Sequence, residues 1–339
     1  MNVPHLKNGS TFWKQNEAIQ FARENADFLV FSKEVSNDGK RFYIVTDAFT
    51  MWNIINSYPL EERNFHEVIP EGVPCKLYFD LEFKYDVNPC CNGDELVKIF
   101  VKLVCWGLRK KFDLCCDMNN VLWLTASSQE KYSSHLIFQI DKVAFATNID
   151  AGHFVHYLCY EINNPSEEEE IIDNFEKPSK EELKTLIIKN RDKEEIFCDL
   201  AVYRKNNNFR LYSSSKFGTI RPMQLSRKNE YYFFSSVDDK EIFLTSLVTL
   251  LEKITIKNFL RFEDTYKPKP KKKTKKSKKK TIVEGNSKSS AEEIIVDEYQ
   301  KILNDSLTEE EEKYILEMCL QMEIQFHSES FYNKKKLKQ

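Results

Sequence analysis

The chain has 339 residues, of which 41% are hydrophobic, and 50 Lys and Arg against 53 Asp and Glu give it a net charge of −3. That length is sufficient for one large hydrophobic core or two smaller ones. No stretch approaches the roughly 20 apolar residues of a membrane span, and the N-terminus lacks a signal-peptide core, so we expect no membrane partner. The nine cysteines follow no regular framework, which predicts reduced thiols in an intracellular protein.

Hydrophobic periodicity predicts an α+β protein. In chain order, the pattern predicts a helix at 11–25, strands at 28–34 and 41–46, a helix at 48–57, a strand at 77–83, a helix at 94–112, strands at 120–126 and 132–140, and helices at 150–162 and 239–254. A globular core is expected over residues 1–266. Within it, residues 164–194 are rich in Glu and Lys and contain two prolines, which indicates a surface insertion.

The C-terminal part is divided by charge. Residues 267–280 hold ten lysines, and subtracting them from the net charge of −3 leaves −13 on the rest of the chain. We predict a disordered lysine-rich linker over 267–290, acting as a nuclear localisation signal, a phosphate-binding arm or both, with a plain spacer as the alternative. An acidic, partly helical tail is predicted over 291–339. Its helices, at 291–305 and 309–324, either pack on the core or bind a partner.

The first chemically informative segment is Leu77–Phe83. Side chains alternate along a strand, so Asp80 and Glu82 must share the face opposite the apolar residues. Two adjacent carboxylates are unfavourable unless a cation relieves their repulsion, and hard divalent ions do this well. The pattern predicts a magnesium or manganese site on a sheet. The alternative is an ordinary solvated acidic face of an antiparallel sheet.

The second segment is Lys131–Phe138, in which Lys131, Ser133 and His135 share one strand face. A hydroxyl, an imidazole and an ammonium group side by side can donate to phosphate oxygens. Taken alone, however, a histidine in such a strand is more often a satisfied core residue.

The third segment begins with Cys198-Asp199-Leu200, which is predicted to be a short strand. Asp199 would complete a set of three carboxylates. Asn208, Arg210 and Lys216, which follow it, have the chemistry to bind a triphosphate.

These strings resemble the archaeo-eukaryotic primase superfamily, and most closely its eukaryotic primase-polymerase branch, the PrimPol family. The matching strings are Cys75–Phe83, Glu130–Gln139, Val202–Tyr203, Asn208–Tyr212 and Ser214–Lys216. The likeness extends upstream to Asp38–Thr46 and Glu67–Glu71, and it covers roughly residues 10–250.

The resemblance implies a primase-type fold: two mixed sheets with flanking helices, one half similar to an RNA-recognition motif, and the active site in the cleft between them. It implies a DNA-directed DNA polymerase/primase in which Asp80, Glu82 and Asp199 bind two Mg²⁺ or Mn²⁺ ions for nucleotidyl transfer. The residues expected to bind the nucleotide are Arg41, Lys131, Ser133, His135, Asn208, Arg210 and Lys216.

The implied partners are primer-template and single-stranded DNA and nucleoside triphosphates, together with a single-stranded-DNA-binding protein that would contact the acidic tail. The implied setting is replication-fork restart and DNA damage tolerance in the nucleus, with mitochondria as a further location. Two other classes remain as alternatives. One is a catalytically weak nucleic-acid-binding protein of the same fold, and the other is a metal-dependent nuclease, which would not need the triphosphate-binding residues.

One departure from the family concerns zinc. Primase-polymerases of this branch carry a C-terminal zinc module that is tied to primer initiation. Here only Cys319 and His327 follow residue 200 as zinc-ligand types, so no four-ligand structural zinc site is predicted. From this we expect efficient primer extension and weak de novo priming.

Overall fold

The computed structural model describes residues 3–191, 193–232, 237–251 and 256–263. Their elements, in chain order, are β1 (Ser10–Phe12), α1 (Gln15–Arg23), β2 (Leu29–Glu34), β3 (Arg41–Thr46), α2 (Ala48–Ser57), β4 (Phe65–Ile69), β5 (Tyr78–Lys84), α3 (Gly93–Phe112), β6 (Val121–Thr125), β7 (Lys131–Phe138), β8 (Val143–Phe145), α4 (Asn148–Asn163), β9 (Ile171–Ile172), β10 (Phe175–Glu176), α5 (Lys180–Thr185), β11 (Ile187–Asn190), β12 (Lys193–Ile196), β13 (Asn207–Arg210), β14 (Gln224–Leu225), α6 (Asp239–Ser246) and β15 (Asn258–Leu260). The predicted linker, the acidic tail, Cys319 and His327 lie outside the described residues.

Two antiparallel sheets organise the fold. One has five strands in the order β1-β3-β2-β4-β13, and the other has four in the order β14-β6-β7-β5. The α+β class is therefore confirmed, but the prediction of mixed sheets is wrong for both. Short turns such as the one that closes β2 onto β3, with Gly39 at a φ of 79°, favour antiparallel neighbours. Among the described residues, the parallel pair is β8 with β15.

Helix α3 covers the apolar face of the four-stranded sheet. Asn92 caps its N-terminus by accepting from the amide of Asp94, and its first turn is acidic and its last turn basic, as the helix dipole favours. Phe100 packs edge-on against Phe79 of β5 with ring centroids 5.0 Å apart. This packing buries one face of β5 and leaves the opposite face, with its carboxylates, for the cleft.

The helix predicted at 239–254 ends early, at Ser246. The reason is Glu67 of β4, a buried carboxylate that accepts hydrogen bonds from the backbone amides of Val248 and Thr249, each at 2.7 Å. An unpaired buried carboxylate is costly, and these bonds draw the chain out of the helix. The segment at 11–25 also differs from the prediction, because strand β1 precedes a shorter helix, α1.

The predicted insertion at 164–194 is folded. It contains the β9–β10 hairpin, α5 and most of the β11–β12 hairpin. Its apolar residues Leu183, Leu186 and Ile188 are buried, while most of its Glu and Lys side chains are exposed. No helix in the described part of the chain is long and apolar enough to cross a membrane.

Candidate active site between the two sheets

The acidic strand β5 has the predicted arrangement. Asp80 lies opposite His135 of β7, and Glu82 lies opposite Ser133, so all four side chains share one face of the four-stranded sheet. The Nε2 atom of His135 lies 3.8 Å from Oδ1 of Asp80. Lys131 of β7 forms a close ion pair with Glu82. The strand pairing therefore brings together the first two sets of predicted site residues.

Asp199 lies beside them, although it does not belong to a strand. The segment before it pairs with the free edge of β5 through a bridge between Cys198 and Leu81, and the amide of Asp199 donates to the carbonyl of Asp80 at 2.9 Å. Its Oδ1 atom accepts from the amide of Ala201 at 2.8 Å and caps a 3₁₀ helix over Leu200–Tyr203. The predicted strand at this position is wrong, because the capping carboxylate turns the chain.

The basic side of the site comes from the five-stranded sheet. Arg210 of β13 lies opposite His66 of β4, and its Nη2 atom lies 3.4 Å from the hydroxyl of Ser133 on the other sheet. The ring of Phe209 stacks on His135 at 4.0 Å and contacts Tyr78 edge-on at 4.9 Å. These contacts join the two sheets at the point where their charged faces meet.

The other predicted nucleotide contacts are distributed over the five-stranded sheet and the loop after it. Asn208 accepts a hydrogen bond from buried Ser32 at 2.7 Å, which commits its amide oxygen to the protein. Arg41 lies 3.3 Å from Glu34, and its charge still acts on His66. Lys216 is exposed in the loop after β13, and its charge acts on both His66 and His135.

Burial and neighbouring charges set the protonation of the site. Burial, with the charges of Glu82 and Asp199, raises the pKa of Asp80 to about 7, although Arg210 opposes the shift. Burial and the nearby cations lower the pKa of His66 to about 3 and hold the pKa of His135 well below 6.5. Both imidazoles are therefore neutral at pH 7 and able to donate one hydrogen bond each.

Four buried polar atoms of this region have no hydrogen-bond partner among the described residues. They are Oδ1 of Asp80, Nδ1 of His135, Nδ1 of His66 and Nε of Arg41. Unsatisfied buried polar atoms are rare and costly, and here they come from both sheets. Such a concentration is typical of a surface that is completed by a polar ligand.

The carboxylates meet some, but not all, of the requirements of a site for a hard divalent cation. Asp80 offers an unpartnered oxygen next to Glu82, which is the chemistry that Mg²⁺ and Mn²⁺ prefer. Among the described residues, no three His, Cys, Asp or Glu side chains converge on one point as a metal-binding group. Glu82 is engaged by Lys131, and Asp199 caps its helix. The three-carboxylate set therefore stays a prediction.

Two residues of the site were missed by sequence reasoning. His66 lies between Arg210 of β13 and Arg41 of β3. The alternation of side chains along β4 would have placed it on the same face of the five-stranded sheet as these cations. Arg221 donates to the hydroxyl of Ser128 at 3.0 Å, and its charge contributes to the lowered pKa of Arg210. Nothing in the local sequence indicates this position of Arg221, because it depends on tertiary packing.

An acidic strand faces a basic strand, and buried polar atoms on both sheets lack hydrogen-bond partners among the described residues. This arrangement defines a candidate site for metal-assisted chemistry on an anionic substrate. Comparison with known proteins narrows that class. The chain is 36% identical over 258 residues to the DNA-directed primase/polymerase protein of Danio rerio, an alignment that covers 70% of this chain and 49% of the relative.

Two mammalian relatives show similar identity and coverage. The protein of the same name from Mus musculus is 34% identical over 280 residues, with 71% of this chain and 52% of the relative covered. The one from Homo sapiens is 31% identical over 293 residues, with 70% and 52% covered. The chain thus spans about half the length of these curated relatives. No protein-family model matches it. The resemblance to eukaryotic primase-polymerases that the motifs predicted is confirmed: the chain is a homologue of the vertebrate DNA-directed primase/polymerase proteins.

Proposed function

We propose that the chain is the nucleotidyl-transferring core of a DNA-directed primase/polymerase, which adds nucleotides to the 3′ end of a primer on template DNA. The observation that carries the proposal is the set of unpartnered buried polar atoms at the junction of the acidic and basic strands. A nucleoside triphosphate with its divalent cations has the charges to satisfy both sides at once. The homologues' name supports this substrate class.

Asp80, Glu82 and Asp199 would hold the cations. When bound, two Mg²⁺ or Mn²⁺ ions lower the pKa of the attacking 3′-hydroxyl and stabilise the leaving pyrophosphate. Lys131, whose ammonium group pairs with Glu82, would balance the charge of that carboxylate and would also be available to bind a phosphate oxygen of the substrate.

Arg210, Lys216, Ser133 and His135 would bind the triphosphate. The guanidinium of Arg210 already lies within hydrogen-bond distance of Ser133, so a phosphate between the two sheets would meet a cation and a hydroxyl together. His135 would act as a neutral donor, because its pKa is held low by burial and by Arg210. Asn208, on the same strand as Arg210, would add a further triphosphate contact, and Arg41 of the five-stranded sheet would contact the base or the template.

Three finer statements belong to the same proposal. The fold would be of the archaeo-eukaryotic primase type, which is compatible with two antiparallel sheets and flanking helices. The protein would work in the nucleus in fork restart and damage tolerance; the names of its relatives support DNA synthesis as its activity. A single-stranded-DNA-binding partner would contact the acidic tail.

A primer-extension assay tests the proposal. A labelled primer-template is incubated with deoxynucleoside triphosphates and Mg²⁺, Mn²⁺ or EDTA, using the wild type, Glu82→Gln and the exposed control Glu230→Gln. We expect metal-dependent extension by the wild type and the control and none by Glu82→Gln. DNA binding without extension would favour the non-catalytic alternative, and metal-dependent shortening of the primer would favour a nuclease; either result would overturn the proposal.

A further inference from the structure

Two hydrogen bonds between an arginine and a serine join the two sides of the cleft. One is the bond between Arg210 and Ser133, at 3.4 Å. In the other, Nη1 of Arg221 donates to the hydroxyl of Ser128 at 3.0 Å. Arg221 lies between β13 and β14, and Ser128 lies in the turn between β6 and β7. Both arginines thus come from β13 or the segment after it, and both serines come from β7 or the turn before it.

Ser128 organises the turn that leads into β7. Its hydroxyl accepts from the backbone amides of Glu130 and Lys131, at 3.3 and 3.2 Å. Its own amide donates to the carbonyl of Lys131 at 2.8 Å. The hydroxyl that Arg221 contacts therefore fixes the start of β7, where the ammonium group of Lys131 pairs with Glu82.

The backbone of Arg221 is anchored to the five-stranded sheet. Its amide donates to the hydroxyl of buried Ser215 at 3.0 Å. The amide of Ser215 donates to the carbonyl of Arg63 at 2.7 Å, and its carbonyl accepts from the side-chain amide of Asn64 at 3.3 Å. Arg63 and Asn64 immediately precede strand β4. Arg221 is therefore connected to one sheet through its backbone and to a turn of the other sheet through its side chain.

The two arginine–serine hydrogen bonds would respond differently to a bound substrate. A phosphate between the sheets would take the hydrogen bonds of Arg210 and Ser133, so their mutual bond, which is already long at 3.4 Å, would be replaced. The bond from Arg221 to Ser128 involves neither group and can persist. Arg221 also lies close enough to Arg210 for its charge to contribute to the lowered pKa of that guanidinium. The persistent bond therefore borders the place where the other one would open.

We propose that Arg221 is a positioning residue for nucleotidyl transfer, which holds the turn before β7 at a fixed distance from the loop that carries Lys216. The inference rests on the proposed function, in which groups from both sheets bind one triphosphate. Lys131 and Ser133 lie at the start of β7, and Lys216 directly follows Ser215 in the chain. Their spacing matters, because misplacement of a substrate by about 1 Å can lower the rate about a hundredfold.

A double-mutant cycle separates this role from a direct contact between Arg221 and the substrate. Primer extension is measured with Arg221→Ala, Ser128→Ala and the double variant, and the exposed Arg227→Ala is the charge control. We expect kcat/KM for the nucleotide to fall about tenfold in each single variant. The double variant should lose no more than about twofold further, because both substitutions remove the same hydrogen bond.

Two further comparisons distinguish positioning from a general loss of structure. The apparent KM for primer-template should stay within about twofold of the wild type in Arg221→Ala. Ser128→Thr, which keeps the hydroxyl, should recover most of the nucleotide kcat/KM that Ser128→Ala loses. Hydrogen exchange of the backbone amides at 128–131 does not require catalysis, and it should be faster in Arg221→Ala than in the wild type or Arg227→Ala.

Each of three results would overturn the inference. Near wild-type kinetics of Ser128→Ala beside an impaired Arg221→Ala would mean that Arg221 contacts the nucleotide directly. A loss of about a hundredfold in the double variant would mean that the two residues act independently. Unchanged exchange in Arg221→Ala would mean that its side chain does not hold the turn. Failure of the proposed function is distinguishable, because the wild type would then show no metal-dependent extension while hydrogen exchange still reports on the bond to Ser128.

Discussion

The two sheets contribute opposite charges to one cleft, and neither charge pattern is favourable alone. On the four-stranded sheet partly buried Asp80 lies next to Glu82, and desolvation together with the charges of Glu82 and Asp199 raises its pKa to about 7 in spite of Arg210. On the five-stranded sheet, Arg41, Arg210 and Lys216 surround His66 and help to lower its pKa to about 3. Arg210 offsets the raised pKa of Asp80 only in part, and the cleft retains buried polar atoms without a hydrogen-bond partner among the described residues on both sheets. That residual polarity is what a charged substrate with its metal ions would compensate.

The largest expected effect comes from removing a charge on the acidic side. Asp80→Asn should lower the rate of extension at least about a thousandfold, since several kcal/mol of transition-state stabilisation would be lost. The same variant should be more stable to heat at pH 8 than the wild type, because desolvation and the charge of Glu82 make the ionised carboxylate unfavourable in the fold.

Thermal unfolding followed by circular dichroism, together with extension assays, checks both parts. The exposed Asp86→Asn is the matched control, because it lies just beyond β5 and should change neither quantity. Near wild-type extension by a folded Asp80→Asn protein would contradict the assignment of the acidic strand.

On the basic side, the effect should appear in the affinity for the nucleotide. Arg210→Ala should raise the apparent KM for the nucleotide about a hundredfold, as expected for loss of two charge-assisted hydrogen bonds. Arg210→Lys should give a smaller increase, because it keeps the charge but loses the planar pair of donors. The exposed Arg227→Ala serves as the control. If Arg210→Ala changed only the KM for primer-template, the assignment of Arg210 to the triphosphate would be wrong.

The sequence predicted the faces of strands better than their neighbours. The period of two correctly placed Asp80 with Glu82 and Ser133 with His135, because a strand's alternation is a local property. The predicted strand directions and the predicted end of α6 were wrong. Strand direction depends on short turns, and the end of α6 depends on hydrogen bonds to Glu67, a carboxylate distant in sequence.

The position of Asp199 shows the same limit. Its proximity to Asp80 depends on a backbone hydrogen bond between segments more than a hundred residues apart, and no local pattern encodes it. The two acids were grouped by the chemistry of a third carboxylate and by the resemblance to primase-polymerases, and not by any local pattern. Asn88, whose buried side chain joins the end of β5 to Lys189 of β11, had no sequence signal at all, because an Asn near a turn is typical of any loop.

Asn88 allows a test of the junction between β5 and β11 that changes no charge. Asn88→Ala should lower the free energy of unfolding by about 2–3 kcal/mol, because three hydrogen bonds of a buried amide are lost. Asn164→Ala, which removes an exposed local hydrogen bond to Tyr160, should cost less than about 0.5 kcal/mol in chemical denaturation. Equal losses of stability in Asn88→Ala and Asn164→Ala would show that the bonds of Asn88 do not hold β11 against the end of β5.

The smallest expected effect is a pH dependence that originates on the basic sheet. His66 titrates near 6.5 when unfolded, but burial and the charges of Arg41, Arg210 and Lys216 lower its pKa to about 3 in the fold. Between these values the unfolded chain binds a proton that the folded chain does not, so the free energy of unfolding must fall as the pH falls below 6.5. The contribution of this one group is at most about 1.4 kcal/mol per pH unit. His66→Gln should therefore flatten the decline in stability between pH 6 and pH 4.5 in urea denaturation, whereas the exposed His5→Gln should leave it unchanged. An equally steep decline in His66→Gln would mean that another group with a lowered pKa, such as buried His135, and not His66, limits stability in acid.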